Sequence, residues 1–141
     1  MQIAIAADHG GFNLKKAIVN HIRGKNLSIT DFGIHYDESC HYPYFANKVA
    51  NEINYGKTYN LGILICKTGN GMAMVANKYK KVRASLCWTE ELASLAKKHN
   101  NANILVLPAR FVEKDVALKI LDVFMETEFE GGRHQDRLDL F

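Results

Sequence analysis

The sequence has no apolar run near the roughly 18 residues that a membrane-spanning helix needs, so no such helix is expected. Cysteine is scarce. Cys40, Cys66 and Cys87 are odd in number and widely spaced, which argues against a disulfide scaffold and for reduced thiols in the cytoplasm. The opening MQIAIAADHGG lacks a basic n-region and a cleavage site, so no signal peptide is expected. CxxC and HExxH spacings are missing, and no dedicated metal site is expected. Neither a Walker loop nor a GxGxxG fingerprint occurs. Charge of one sign is also scarce. The net charge of +3 is too mild to imply nucleic acid, yet it suits a small anionic ligand if the basic residues cluster. No repeat, low-complexity tract or linker interrupts the chain.

What is present is the balance of an ordinary globular domain, with 48% hydrophobic and 23% charged residues. A length of 141 residues fits one domain, 1–141, around one core. Short apolar runs at 3–7, 27–32, 61–66, 82–87 and 104–107 read as buried strands. Helix-period segments lie between them: Leu14, Ile18 and Ile22; Phe45, Val49 and Ile53; Leu92, Leu95 and Ala96; Val116, Ile120 and Phe124. A further helix is expected to start near Gly71. This alternation predicts an α/β, Rossmann-like three-layer sandwich with a five-stranded parallel sheet. The tail 130–141 shows no strand pattern and reads as a polar, basic segment.

In such folds ligands bind beyond the carboxyl ends of the strands. The strand ends to read are therefore Asp8-His9, the run that starts at Cys66, and Cys87-Trp88. The run Cys66-Lys67-Thr68-Gly69-Asn70-Gly71-Met72 joins a strand to a helix. Backbone N–H groups of such a turn, with the helix dipole, suit an oxyanion. The same field would lower the pKa of Cys66 and make it a base or nucleophile. The alternative is a buried core cysteine before a tight turn. Asp8 and His9 follow the first strand, either as a hydroxyl acceptor beside an anion donor or as a polar, capping turn. Asp31, after the second strand, mimics the ribose-binding carboxylate of a nucleotide module, although the missing GxGxxG argues against that module.

Two further groups lie elsewhere. His99 and Asn100 end the fourth helix, where an imidazolium is favoured and could donate to a ring oxygen; a C-cap with Asn100 in a left-handed turn is the other reading. Arg133 and Arg137 would share one face of a helical turn and could clamp a phosphate, with Arg110 as a third cation; a solvated terminus is equally compatible.

The segments IAIAADHGGF, DFG, HYPYFANKVA, GILICKTGNGM, ANK, VRASLCW, KKHNNANIL, AR and TEFEGGRHQDR, in this order, resemble the type-B ribose-5-phosphate isomerases and the related galactose-6-phosphate isomerase subunits. The tail with KKHNNAN favours the ribose-phosphate branch. The resemblance implies Cys66 as base and Asp8, His99 and Asn100 as ring-opening and sugar-binding residues, with Tyr42 near the sugar. It implies His9, Arg110, Arg133 and Arg137 as phosphate ligands, and a site built between two subunits of a homodimer, or of a dimer of such dimers. Met72 stands where some members carry a Glu. Lys67 replaces a customary Gly. With positive φ it would be strained, and an inward ammonium would bring positive charge to Cys66.

The expected reaction is metal- and cofactor-independent interconversion of ribose 5-phosphate and ribulose 5-phosphate through a cis-enediolate. Cys66 would move the proton, Thr68 would bond the reacting oxygens, and amides of Gly69, Asn70, Gly71 and Met72 would hold the oxyanion. The alternatives are isomerisation of a six-carbon sugar phosphate (allose or galactose 6-phosphate) and a non-catalytic sugar-phosphate-binding module. The expected partner is therefore a small sugar phosphate, with no nucleic acid and no membrane.

Overall fold

A computed structural model describes residues 1–141. Five strands form one parallel sheet: β1 (Gln2–Ala7), β2 (Ser28–Asp31), β3 (Leu61–Cys66), β4 (Ala84–Leu86) and β5 (Ile104–Pro108), in the order β2-β1-β3-β5-β4. Six α-helices accompany them: α1 (Phe12–Gly24), α2 (Tyr42–Tyr55), α3 (Asn70–Ala76), α4 (Glu90–Asn100), α5 (Lys114–Glu126) and α6 (Arg133–Leu138). No helix is long and apolar enough to cross a membrane.

Strand alternation sends side chains to two cores. Ile3, Ile5, Ile63, Ile65, Leu105 and Leu107 pack with α1, α4 and α5 on one face. Ala4, Ala6, Leu64, Cys66, Ile104 and Val106 pack with α2 and α3 on the other. The three central strands are thus buried on both sides, which is why they read as unbroken apolar runs. A fully buried Ile or Leu contributes about 1.5–3 kcal/mol. The result is the three-layer α/β sandwich expected from the alternation.

Some local expectations change. The second and fourth runs form shorter strands, Ser28–Asp31 and Ala84–Leu86, at the sheet edges and only partly buried. An edge strand has one neighbour, so its outer residues need not be apolar. Leu95 and Val116 are exposed; α4 buries Ala93 and Ala96, and α5 buries Ala117, Ile120, Leu121 and Phe124. The tail, by contrast, forms the helical turn considered for Arg133 and Arg137, as α6.

Asp31 is no ribose ligand. Both its carboxylate oxygens accept from Lys15 Nζ, at 2.7 and 2.6 Å, and it also accepts from the Gly33 amide at 2.8 Å. Lys15 is 1% exposed and gives a further hydrogen bond to the Ile34 carbonyl at 2.6 Å. The pattern Lys15, Ile18, Val19 and Ile22 is the i, i+3, i+4, i+7 spacing of a buried helix face, so the lysine comes inside with it. Removing one partner of a buried pair leaves an uncompensated charge. We expect Asp31→Ala to lower stability in urea unfolding by about 3 kcal/mol or more; a loss below about 1 kcal/mol, as at an exposed pair, would contradict this.

Candidate active site

From β1 the chain moves to β2 on one side and then to β3 on the other, so the strand order reverses between β1 and β3. Asp8 and Cys66 flank that switch point at the carboxyl ends, where open α/β sheets bind ligands. The Asp8 amide donates to the Ile65 carbonyl at 3.2 Å, holding the two strand ends together. The Asp8 carboxylate is 7% exposed and accepts from the Gly11 amide at 3.2 Å, capping a short 3-10 turn, His9–Gly11. Capping and a place in the site therefore coexist.

Cys66 ends β3, 5% exposed. Its Sγ accepts from the Gly69 amide at 3.1 Å. Gly69 adopts φ 78°, the left-handed region, and a Cβ there would also collide with Leu86. This turn folds the amides of Thr68, Gly69 and Met72 back onto the sulfur. A side chain on Gly71 would strike Tyr42, whose ring Cζ lies 2.5 Å from that Cβ position. Gly71 therefore lets Tyr42, at the start of α2, lie across the loop. Thr68 and Asn70 are exposed, and Thr68 Oγ1 accepts the Asn70 amide at 3.4 Å. The Ala109 and Arg110 amides donate to the carbonyls of Cys66 and Lys67, at 2.9 and 3.0 Å, which brings Arg110 to the same end. His9 sits there too, its Nδ1 3.9 Å from Cys40 Sγ, a neighbour that the sequence did not reveal. Thr68 and Asn70 border an open depression of about 510 Å³, walled by Leu86, Trp88, Pro108 and Phe111.

The thiol does not behave as the helix-dipole argument expects. Burial pushes the Cys66 pKa up; the Gly69 amide lowers it, the Asp8 charge raises it, and the Met72 and Thr68 amides lower it, with a net rise. α3 is only seven residues long, and desolvation of the thiolate outweighs its amides. Lys67 is absent from these influences. It is exposed, its Cγ packs over Gly10, and its φ is not positive, so neither backbone strain nor an ammonium acting on the thiol follows from this substitution. Neutralising Asp8 removes a charge that raises the thiol pKa. Asp8→Asn should therefore shift the pH profile of Cys66 alkylation, followed by peptide mass spectrometry, to lower pH. Lys67→Gly should leave it in place; movement to higher pH in that variant would show that the ammonium acts on the thiol after all.

The remaining predicted residues lie elsewhere in the chain. Arg83 Nε donates to the carbonyls of Asn100 and Asn101, each at 3.0 Å, and the Arg83 carbonyl accepts from the Asn103 amide at 3.0 Å. The end of α4 therefore lies beside the starts of β4 and β5. Cys66 pairs with Pro108, four residues further along β5 than Ile104. At about 3.3 Å per residue, a strand length of about 13 Å separates the two levels. Asn101, not Asn100, takes the left-handed conformation, at φ 45°. The Asn101 and Ala102 amides close the helix on Lys97 and Ala96.

The tail joins this second group. The Glu130 amide donates to the Lys98 carbonyl at 3.1 Å. α6 then carries Arg133 and Arg137, both exposed, with His134 buried between them. His134 stacks on His99, with centroids 4.3 Å apart and planes 9° from parallel. Asn100 and Arg83 line a separate open depression of about 530 Å³, with Phe141 at its rim. Within one chain, then, Asp8, His9, Tyr42, Cys66, Thr68, Gly69, Asn70, Gly71 and Arg110 gather at the carboxyl ends. His99, Asn100, Arg133 and Arg137 gather at the amino ends.

Comparison with known proteins gives the family. The family model described as Ribose/Galactose Isomerase matches residues 3–141. A protein of Mycoplasma genitalium, named probable ribose-5-phosphate isomerase B, is 47% identical over 138 residues, 97% of this chain and 91% of its own. The structure of ribose-5-phosphate isomerase B from Mycoplasma genitalium with bound ribulose-5-phosphate superposes with TM-score 0.95 at 46% identity, covering 99% of this chain and 92% of that one. That of Clostridium thermocellum ribose-5-phosphate isomerase B gives 0.97 at 42%, covering 99% and 94%. The chain belongs to the ribose/galactose isomerase family.

Proposed function

We propose that this protein interconverts ribose 5-phosphate and ribulose 5-phosphate, in a site made by two copies of the chain. The observation that carries the reading is a buried thiol ringed by loop amides at the switch point of the sheet, in a chain similar over nearly its whole length to a protein seen with ribulose-5-phosphate. Asp8 takes the anomeric hydroxyl proton while the partner's His99 donates to the ring oxygen, which opens the furanose. Cys66 thiolate then removes the C2 proton. The electron pair forms the C1–C2 double bond of a cis-enediolate, and the charge moves to O1. Thr68 and the amides of residues 69–72 hold the two oxygens. Return of the proton to C1, with transfer of the O2 proton to O1, leaves the C2 ketone and the C1 hydroxyl of ribulose 5-phosphate. The step needs a base and fixed donors, so no metal or cofactor takes part.

Two features support the shared site. The half with the thiol lacks His99, Asn100, Arg133 and Arg137, which stand at the opposite end of the sheet. The carboxyl-end depression is also open, with Trp88 52% and Phe111 68% exposed beside it. A two-fold partner brings its amino-end group to this half, and the exchange completes both sites. Tyr42 and Asn100 then border the sugar, while His9 and Arg110 meet the partner's Arg133 and Arg137 at the phosphate. Three cysteines without a disulfide fit a reducing cytoplasm.

The test is turnover across five- and six-carbon sugar phosphates, with and without a chelator. Ribose 5-phosphate should be converted fastest, and chelation should change nothing. Faster turnover of allose or galactose 6-phosphate would reassign the substrate. Binding of all of them without conversion would leave a sugar-phosphate-binding module. Charge-assisted contacts are worth about 1.5–3 kcal/mol. Arg133→Ala and Arg137→Ala should therefore each lower kcat/KM by about tenfold or more, the loss concentrated in KM. Wild-type values in both would make α6 a solvated terminus.

A further inference from the structure

His134 does not belong to the set of residues assigned a role above, yet it is 5% exposed and lies face to face with His99. His99 itself is 39% exposed, in the last turn of α4. Glu130 reaches both rings, with Oε2 3.5 Å from His134 Nε2 and 4.0 Å from His99 Nε2. Its backbone is tied to Lys98, one residue before His99, so the three groups are held by α4, the tail strap and α6 together.

The three ligand atoms lie within 4.8 Å of one another, which raises the alternative of a metal site. The stack opposes it. Imidazole binds a cation in its own ring plane, and with planes 9° from parallel a point in one plane stands a stacking distance off the other. Both histidines could bind one ion only after the stack is broken.

Resting on the isomerase reading, we propose that His134 is a positioning residue for ring opening: its buried ring holds the His99 imidazole in one orientation, with Glu130 facing the Nε2 edges of both. The charges around it agree. Burial, His99 and Arg133 push the His134 imidazole toward its neutral form; Glu130 opposes them, and Arg137 adds to them. A neutral His134 can stack on His99 without placing a second charge against it.

The experiment compares two substrates. Ribose 5-phosphate must be opened before isomerisation, whereas 4-deoxyribose 5-phosphate lacks the hydroxyl that closes the furanose and stays acyclic. His134→Ala should lower kcat on ribose 5-phosphate about 10- to 100-fold, the scale of a misplaced catalytic group. On the deoxy substrate it should stay within about twofold of wild type. His134→Phe, which keeps a flat ring, should recover most of the lost rate. His134→Leu replaces the Ala variant if that one does not fold. Equal losses on both substrates would mean a merely structural role, and a Phe variant as impaired as the Ala or Leu one would remove stacking as the cause; either overturns the proposal, as does wild-type activity in His134→Ala. A wild-type enzyme inert toward both substrates would instead overturn the isomerase reading itself and the proposal with it.

Discussion

Cys66→Ala should abolish turnover while leaving substrate binding nearly unchanged. A positioned base supplies about 10²–10⁴-fold, and it acts in the transition state rather than in the ground state. The expected result is a fall in kcat of that order, with the Kd for ribose 5-phosphate from calorimetry within a few-fold of wild type. Burial and Asp8 hold the Cys66 pKa above its ordinary value, so the reactive thiolate is a minority form near neutral pH. Wild-type kcat/KM should therefore climb as pH rises, and a flat profile from pH 6 to 9 would show that a different group takes the proton. Substantial activity in Cys66→Ala would dismiss the thiol outright.

The second large effect is a gain. Cys66→Ala and His99→Ala are each inactive alone in this account, because each variant damages every site of its own dimer. After subunit exchange a mixed dimer has one site with both substitutions and one with neither. Random pairing makes about half the dimers mixed, so activity should recover to roughly a quarter of wild type. No recovery, with exchange confirmed by native mass spectrometry, would place Cys66 and His99 in one subunit's site. That outcome would be hard to square with the positions of the two residues, at opposite ends of β5.

The central sheet was legible because β1, β3 and β5 are buried on both faces and so consist of unbroken apolar residues. The edges were less so. β2 and β4 are ordered by one neighbour each, and their apolar flanks, Leu27 and Val82, continue the run without continuing the strand. Leu95 and Val116 obey the helical period but sit at the margin of the stripe, where small residues such as Ala93 and Ala117 make the contact instead. In the site, the strand-end residues were readable from topology alone. The direction of the Cys66 shift was not, since it depends on how deeply the sulfur is buried and on the nearness of Asp8, and neither leaves a mark in one dimension. The structural role of Asp31 was not legible, because its partner, Lys15, is sixteen residues away on a helix, although the lysine's place in an apolar stripe was a usable signal. His134 was visible only as a basic residue between two arginines; its stack on His99 is a product of the tail folding back onto α4.

The most direct test of the account is proton NMR of ribose 5-phosphate incubated with the protein in deuterated buffer. Ribulose 5-phosphate should appear, with the C2 proton gone from C2 and either carried to C1 or replaced there by solvent deuterium, and both changes should vanish in Cys66→Ala. Ribose 5-phosphate that binds yet keeps its C2 proton, with no ketose formed, would contradict it.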